Sequence, residues 1–307
     1  MRQDEITAVV TQIVDLLAKD YVFPDVGQRA GSVISAALAA GRYPDGLDVP
    51  ELAARVTEDL QSVNGDKHLR LLYSEEPLRE DDAAAGLAAM TDTAARTAGG
   101  IGRVERLEGN IGLVEITPIL FPPTLAGEPI AAAMTLVAGS SALILDVRRC
   151  RAGSPDTVAF LCSYLFGTES FYLNGVYHRA NESIQQFWTQ PYLPGRRYGP
   201  DRPVAVLTSA TTFSGAEELA FDLQERGRAT IVGEVTRGGA HPRVGFAVHP
   251  HLEATIPVAR SVSPLSGTNW EGTGVRPDIE VPADQALDRA LEYLRAPGIQ
   301  HASGSPS

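Results

Sequence analysis

The sequence predicts an α/β fold: a small N-terminal helical cap followed by a core in which apolar strands alternate with helices. Three observations point that way. Residues 4–63 carry three apolar stripes at helical spacing. The run 141–147 is apolar up to its acidic end, as in a strand covered on both faces, and 204–207 is a second apolar strand. Each run ends in a polar turn and gives way to a helical pattern, over 155–166 and over 216–223.

At 307 residues the chain can bury one large core, or a core with a smaller companion domain. An apolar fraction of 44% and a charged fraction of 21% are those of a soluble globular protein, without a membrane span. The formal net charge of −12 argues against nucleic acid as a partner, because phosphate contacts need a basic face. Cys150 and Cys162 are too few for a disulfide framework and lack metal-ligand spacing, so no metal or cofactor is expected. Residues 1–17 are amphipathic and include acids. They lack the basic start, unbroken apolar run and small-residue cleavage site of a signal peptide, so a cytoplasmic location is expected.

The cap, residues 1–75, opens with Ile6, Val9, Val10, Ile13, Leu16 and Leu17 on one helical stripe. Val33, Ile34, Ala37 and Leu38 mark a second helix. A third starts near Asp48-Val49-Pro50 and buries Leu52, Val56, Leu60 and Val63. Gly65 closes it, and His68 begins a short strand. A lone histidine at such a junction is more often structural than catalytic.

Residues 76–100 are polar and alanine-rich and read as a linker or lid with one helical piece. The core, 101–297, begins with a strand over 111–116, an irregular stretch over 118–123 and a helix over 129–137. The strand 141–147 follows, then Arg148-Arg149-Cys150-Arg151-Ala152-Gly153-Ser154 and a helix that Ser154 or Gly153 caps, with Pro155 in its first turn. Cys162 on that helix is expected as a buried small hydrophobe. Residues 168–200 concentrate aromatic side chains, Trp188 among them, in a chain only 7% aromatic. They read as a substrate-facing wall, an oligomer contact or a self-contained hairpin. Residues 244–248 and 254–258 form a hairpin with His249 and His251 solvated at its tip. A glycine-spaced loop with Trp270 and Glu271 leads into a strand over 279–281. A last amphipathic helix spans 283–294, and the tail 298–307 is expected to be disordered.

The stretch 202–241 is the most informative. Its strand ends at Leu207, a turn of small polar residues follows, and Ser214 stands where the next helix begins. The first amides of a helix lack intrahelical partners and carry the positive end of its dipole, so a hydroxyl there can lie beside oxyanion donors. The local pattern also fits a plain N-cap with Glu217 completing a capping box, and on its own favours that.

The segment Thr208-Ser-Ala-Thr-Thr-Phe-Ser214-Gly-Ala-Glu-Glu, with the downstream Gly227-Arg-Ala-Thr-Ile-Val-Gly-Glu234, resembles the nucleophile region of the tail-specific (C-terminal processing) serine peptidases. The branch similar to interphotoreceptor retinoid-binding protein fits best. The resemblance implies a crotonase/ClpP-like core of repeated strand-strand-helix units. About thirty residues separate the histidine motif from the core, too few for the PDZ domain that many members insert there.

By the same resemblance Asp66-Lys-His68-Leu-Arg70 implies His68 as general base, and Glu271-Gly-Thr-Gly-Val-Arg-Pro-Asp278 implies Glu271 as the group orienting it. The implied oxyanion donors are the amides of Gly215 and Gly153. The family's turn at 148–153 normally holds an asparagine and glycines, where this chain has Cys150, Arg151 and Ala152. Alanine can reproduce the turn only at negative φ. A serine-lysine dyad is excluded, since Gly239 stands at the lysine position and the neighbouring Arg237 stays protonated. His241 is a rival base or a pocket-lining residue, and Arg237, Arg148, Trp188 and Trp270 are candidates to line the substrate. The expected reaction is acyl transfer on a peptide or a related amide or ester. The alternative is a non-hydrolytic descendant that binds or transforms an apolar small molecule. Expected partners are a peptide or small-molecule substrate and a second copy of the chain, with no nucleic acid and no membrane.

Overall fold

In the computed structural model, residues 1–78 and 82–296 are described. Three helices come first, α1 (Gln3–Asp20), α2 (Pro24–Ala39) and α3 (Val49–Gln61), followed by β1 (Arg70–Tyr73) and α4 (Asp82–Arg96). Then come β2 (Ile101–Leu107), β3 (Ile111–Ile116), α5 (Pro123–Val137), β4 (Ala142–Asp146) and α6 (Pro155–Ser163). The chain continues through β5 (Tyr172–His178), β6 (Ser183–Trp188), β7 (Val204–Thr208), α7 (Gly215–Glu225) and β8 (Thr230–Gly233). It closes with β9 (Arg243–His249), β10 (Leu252–Pro257), β11 (Ala259–Val262), β12 (Ile279–Glu280) and α8 (Ala286–Arg295). The predicted α/β class is the observed one. None of these helices is long and apolar enough to cross a membrane.

The chain divides into two compact units. The first is Met1–Gly86 with Val176–Gln185 and His241–Ser261; the second is Leu87–Gly175, Gln186–Ala240 and Val262–Ser307. The first unit therefore holds more than the cap expected over 1–75, because β1 pairs antiparallel with β10, and β10 with β9, far along the chain. Ile6, Val9, Ile13 and Leu17 of α1 pack with Leu52, Val56 and Leu60 of α3 and with Leu252, Ala254 and Ile256 of β10 in one core. Asp48 caps α3 by accepting the Glu51 amide at 2.8 Å, a bond that satisfies one of the orphan donors of the first turn. On α2 the fully buried residues are Gly27, Ala30, Gly31 and Ile34; of the expected stripe Ile34 is among them, Ala37 and Leu38 pack half-buried against the core, and Val33 is half-buried. A Cβ on Gly27 would lie 2.6 Å from the Leu17 carbonyl, so the small residues let α2 approach α1 closely. His249 and His251 are only half-exposed. Instead of being solvated, His251 holds the Ser74 carbonyl through Nδ1 at 3.0 Å.

The second unit is built on a six-stranded sheet ordered β12-β8-β7-β4-β3-β2. All its pairings are parallel except β2 with β3. One face, carrying Leu113, Ile144, Leu207 and Val232, is covered by Ala286 and Ala290 of α8. Toward the other face, Gly112 lies against Val137 of α5, where a Cβ would come within 2.8 Å of that side chain. α5 starts at Pro123, not at Pro129, and carries Pro129 in its interior. Gly99 packs there, with space for no Cβ between it and the Pro129 ring and Leu125 carbonyl. α6 ends at Ser163 rather than 166. The expected tail over 298–307 lies outside the described residues.

Candidate active site

In an open parallel sheet, ligands bind beyond the carboxyl ends of the strands. In the second unit the ends of β4, β7 and β8 launch the turns 147–154, 209–214 and 234–240. The turns are tied together by short polar side chains. Ser209 Oγ donates to the Arg148 carbonyl at 2.6 Å and Thr212 Oγ1 to the Val147 carbonyl at 3.0 Å. The Phe213 amide reaches the Cys150 carbonyl at 3.3 Å, and the Arg237 amide the Thr212 carbonyl at 3.1 Å.

Ser214 ends this turn at φ 59° and ψ −125°. A non-glycine residue pays for such a backbone in strain, on the order of 1–3 kcal/mol. The strained residue is held by Glu217, which is fully buried. Its Oε2 accepts the amides of Ser214 at 2.8 Å and Gly239 at 2.9 Å, while Oε1 accepts the Gly238 amide at 2.7 Å and the Thr236 hydroxyl at 2.5 Å. Burial raises the Glu217 carboxyl above its ordinary pKa, against the pull of these four donors. The Glu217 half of the expected capping box thus forms. The Ser214 side chain faces the N3 amide of α7 across the other half of that box.

Gly215 opens α7 with its backbone against that of Gly153. A Cβ on Gly215 would lie 2.5 Å from Gly153 Cα, and one on Gly153 would lie 3.1 Å from Gly215 Cα. The two residues expected to supply oxyanion donors are therefore adjacent. The altered turn before Gly153 is kept straight by a short parallel pairing. The Arg151 amide donates to the Pro118 carbonyl at 2.9 Å, the Leu120 amide to Ala152 at 3.1 Å, and the Ser154 amide to Leu120 at 2.9 Å. The Gly153 N–H takes no part in these bonds. Ala152 is not among the residues of positive φ, so its Cβ costs the turn nothing.

Glu271 stands in the loop after β11. Its Oε2 accepts the Ala240 amide at 2.5 Å. Beside it, Trp270 is 2% exposed and donates through Nε1 to the Gly239 carbonyl at 2.9 Å. Trp270 is thus a strut under the glycine turn and not a lining residue. Arg148 is likewise engaged: it forms a bidentate pair with Asp146 and donates to the Ala283 carbonyl at 2.6 Å. It lines a cavity of about 540 Å³ with Glu115, Ser209 and Glu234. Arg237 is exposed, its guanidinium 4.7 Å from the Phe213 ring centre. Trp188 is 43% exposed and stacks on Tyr172, with centroids 5.0 Å apart and planes 16° from parallel.

His68 and His241 both belong to the first unit. His68 is 8% exposed. Its backbone N–H donates to Asp66 Oδ1 at 3.0 Å and its carbonyl accepts the Thr255 hydroxyl at 2.6 Å. Burial, opposed by Asp66 and aided by the charges of His241, Arg243 and Arg70, pushes the imidazole down to about 4. At neutral pH it is therefore an unprotonated base. His241 is 4% exposed, and its Nδ1 meets Asp66 Oδ2 at 2.8 Å. Sequence reasoning assigned Asp66 no role, although its place two residues before His68 was the available signal.

Residues 110–281, more than half of the chain, match the model of peptidase family S41. Residues 2–99 match the N-terminal domain of peptidase S41 in eukaryotic IRBP. The chain resembles a candidate peptidase from Parabacteroides merdae (TM-score 0.65, 18% identity, covering 97% of this chain and 98% of that one). It also resembles a lipoprotein from Streptococcus agalactiae (TM-score 0.59, 14% identity, 94% and 95%). A third likeness is to the photosystem II D1 C-terminal processing protease (TM-score 0.55, 15% identity, 95% and 98%). At such identities the likenesses speak for the fold, while the family match covers the strands, turns and helix that carry Ser214, Gly153 and Glu271. The chain is a member of peptidase family S41.

Proposed function

We propose that the chain is a serine peptidase that cleaves a peptide, or a related amide or ester, through an acyl-enzyme. The observation that carries this is Ser214: a serine of strained backbone at the start of α7, beside two touching glycines. Ser214 Oγ attacks the carbonyl carbon. His68, unprotonated at neutral pH, takes the hydroxyl proton and then delivers it to the leaving group. Glu271 fixes the tautomer of that imidazole. The amides of Gly215 and Gly153 stabilise the oxyanion, and the helix dipole of α7 adds to the same end. Water then attacks the acyl-enzyme and regenerates the serine.

A fluorophosphonate probe is expected to label the native chain and to leave Ser214→Ala unlabelled. Peptide hydrolysis should fall by several powers of ten in that variant, ~5 kcal/mol or more of transition-state stabilisation. Equal labelling of both proteins would remove the assignment.

A further inference from the structure

Asp66 is fully buried, and its two oxygens take donors from three separate parts of the first unit. Oδ2 accepts the Tyr21 hydroxyl at 2.8 Å and faces His241 Nδ1 at 2.8 Å; Oδ1 accepts the His68 amide at 3.0 Å. Asn64 backs the cluster by donating from Nδ2 to the Tyr21 hydroxyl at 2.8 Å. The His241 ring lies edge-on to Phe23 with centroids 5.5 Å apart. A buried carboxylate is an inefficient way to hold a core together, since apolar residues of the same volume often do better. Burial alone would raise the Asp66 carboxyl, yet its bonds to His241, Tyr21 and the His68 amide hold it below the ordinary value. An ionised carboxylate only accepts, so Nδ1 of His241 must carry a hydrogen. Asp66 thereby sets the tautomer of one imidazole and the backbone of the turn that bears another.

We infer that Asp66 and His241 are positioning residues for the general base: Asp66 clamps the turn carrying His68 through one oxygen and locks His241 in one tautomer through the other. The inference rests on the reading of His68 as that base. Burial and four groups bear on the His68 imidazole: Asp66, His241, Arg243 and Arg70. Asp66 and His241 act on it in opposite senses. Asp66→Asn removes the charge that favours imidazolium, whereas His241→Leu removes one that opposes it.

The test is the rate of fluorophosphonate labelling, followed over a series of pH values, for the wild-type chain and five variants. Asp66→Asn and His241→Leu are expected to label more slowly by on the order of 10- to 100-fold. The acid limb of the profile should move to lower pH in Asp66→Asn and to higher pH in His241→Leu. A purely structural role would not move the limbs apart. His241→Asn, whose amide nitrogen reaches the Nδ1 position, should recover much of the rate lost in His241→Leu. Should Asp66→Asn fail to fold, Tyr21→Phe removes one donor from the same carboxylate and is expected to slow labelling in the same sense. If the folded variants at 66, 241 and 21 label at the wild-type rate with the wild-type profile while His68→Ala does not label, the positioning role is overturned and the base survives. If His68→Ala labels normally, the base reading itself falls.

Discussion

Ser214 at φ 59° and ψ −125° asks a Cβ-bearing residue to occupy a region that glycine visits freely. Serine is kept there at a cost to stability, and substitution can release it. Ser214→Gly removes the Cβ along with the hydroxyl, whereas Ser214→Ala removes the hydroxyl alone. Both are expected to be inactive, but Ser214→Gly should be the more stable of the two in urea unfolding by ~1 kcal/mol, strain relief exceeding glycine's added chain entropy. A Ser214→Ala chain equal to or more stable than Ser214→Gly would mean that the backbone at 214 is not strained. The strand-turn-helix pattern made the place of Ser214 at the start of α7 legible in the sequence, and the family resemblance is what singles it out as the proposed nucleophile. Its backbone angles were not legible, because nothing local shows that Glu217 accepts the Ser214 amide and the glycine turn together. Asp66 was hidden for a similar reason. An aspartate in an Asn-Gly-Asp turn looks solvated, and its partner His241 lies 175 residues away.

At the scale of elements, the decisive contact is the start of α7 against the end of the turn after β4. The demand is steric and asymmetric. A Cβ at Gly215 would meet Gly153 Cα, C and O at 2.5–2.6 Å, all backbone atoms that cannot rotate away. At Gly153 the nearest meetings are 2.9 Å with Leu120 Cβ and 3.1–3.2 Å with Gly215 backbone. Gly215→Ala should therefore push the two proposed oxyanion donors apart and cost on the order of 10²–10³ in hydrolysis, as losing one donor does elsewhere. Gly153→Ala should cost less, by relaxation of Leu120. Equal rates for the two variants, measured with a fluorogenic peptide, would contradict this packing. Buried parallel strands such as β4 and β7 were readable because both faces are apolar. β2 was missed because it is an edge strand with exposed Arg103 and an ion pair from Arg103 to Glu105, so its pattern resembles a loop. The start of α5 was misplaced because Pro129 reads as a first-turn residue, although the helix carries it in its interior.

Between acid and neutral pH, buried groups in the two units act on stability in opposite senses: His68 and Asp66 in the first, Glu217, Glu218 and Asp222 in the second. In the first unit His68 is depressed from 6.5 to about 4, chiefly by burial, so between those values the unfolded chain binds a proton that the folded unit refuses. Stability there is complete above 6.5 and is lost as pH falls toward 4, by about 3 kcal/mol. Asp66, held below its ordinary value, loses its contribution in the same direction at still lower pH. In the second unit Glu218 of α7 is raised by burial from 4.5 to about 7, and Asp222, one turn on, is raised by burial and by Glu218. The folded unit keeps protons there that the unfolded chain releases, so its stability is complete below 4.5 and falls as pH rises toward 7. Glu217 adds to the same trend. Calorimetry of the intact chain at successive pH values should therefore show acid-side loss that is reduced in His68→Gln and neutral-side loss that is reduced in Glu218→Gln. If the chain unfolds in two transitions, they should move apart in temperature with pH, one rising while the other falls. Variants that both track the wild type at every pH would show that neither group changes its proton affinity on folding, and the unprotonated state assigned to His68 would then have to come from the solution pH alone.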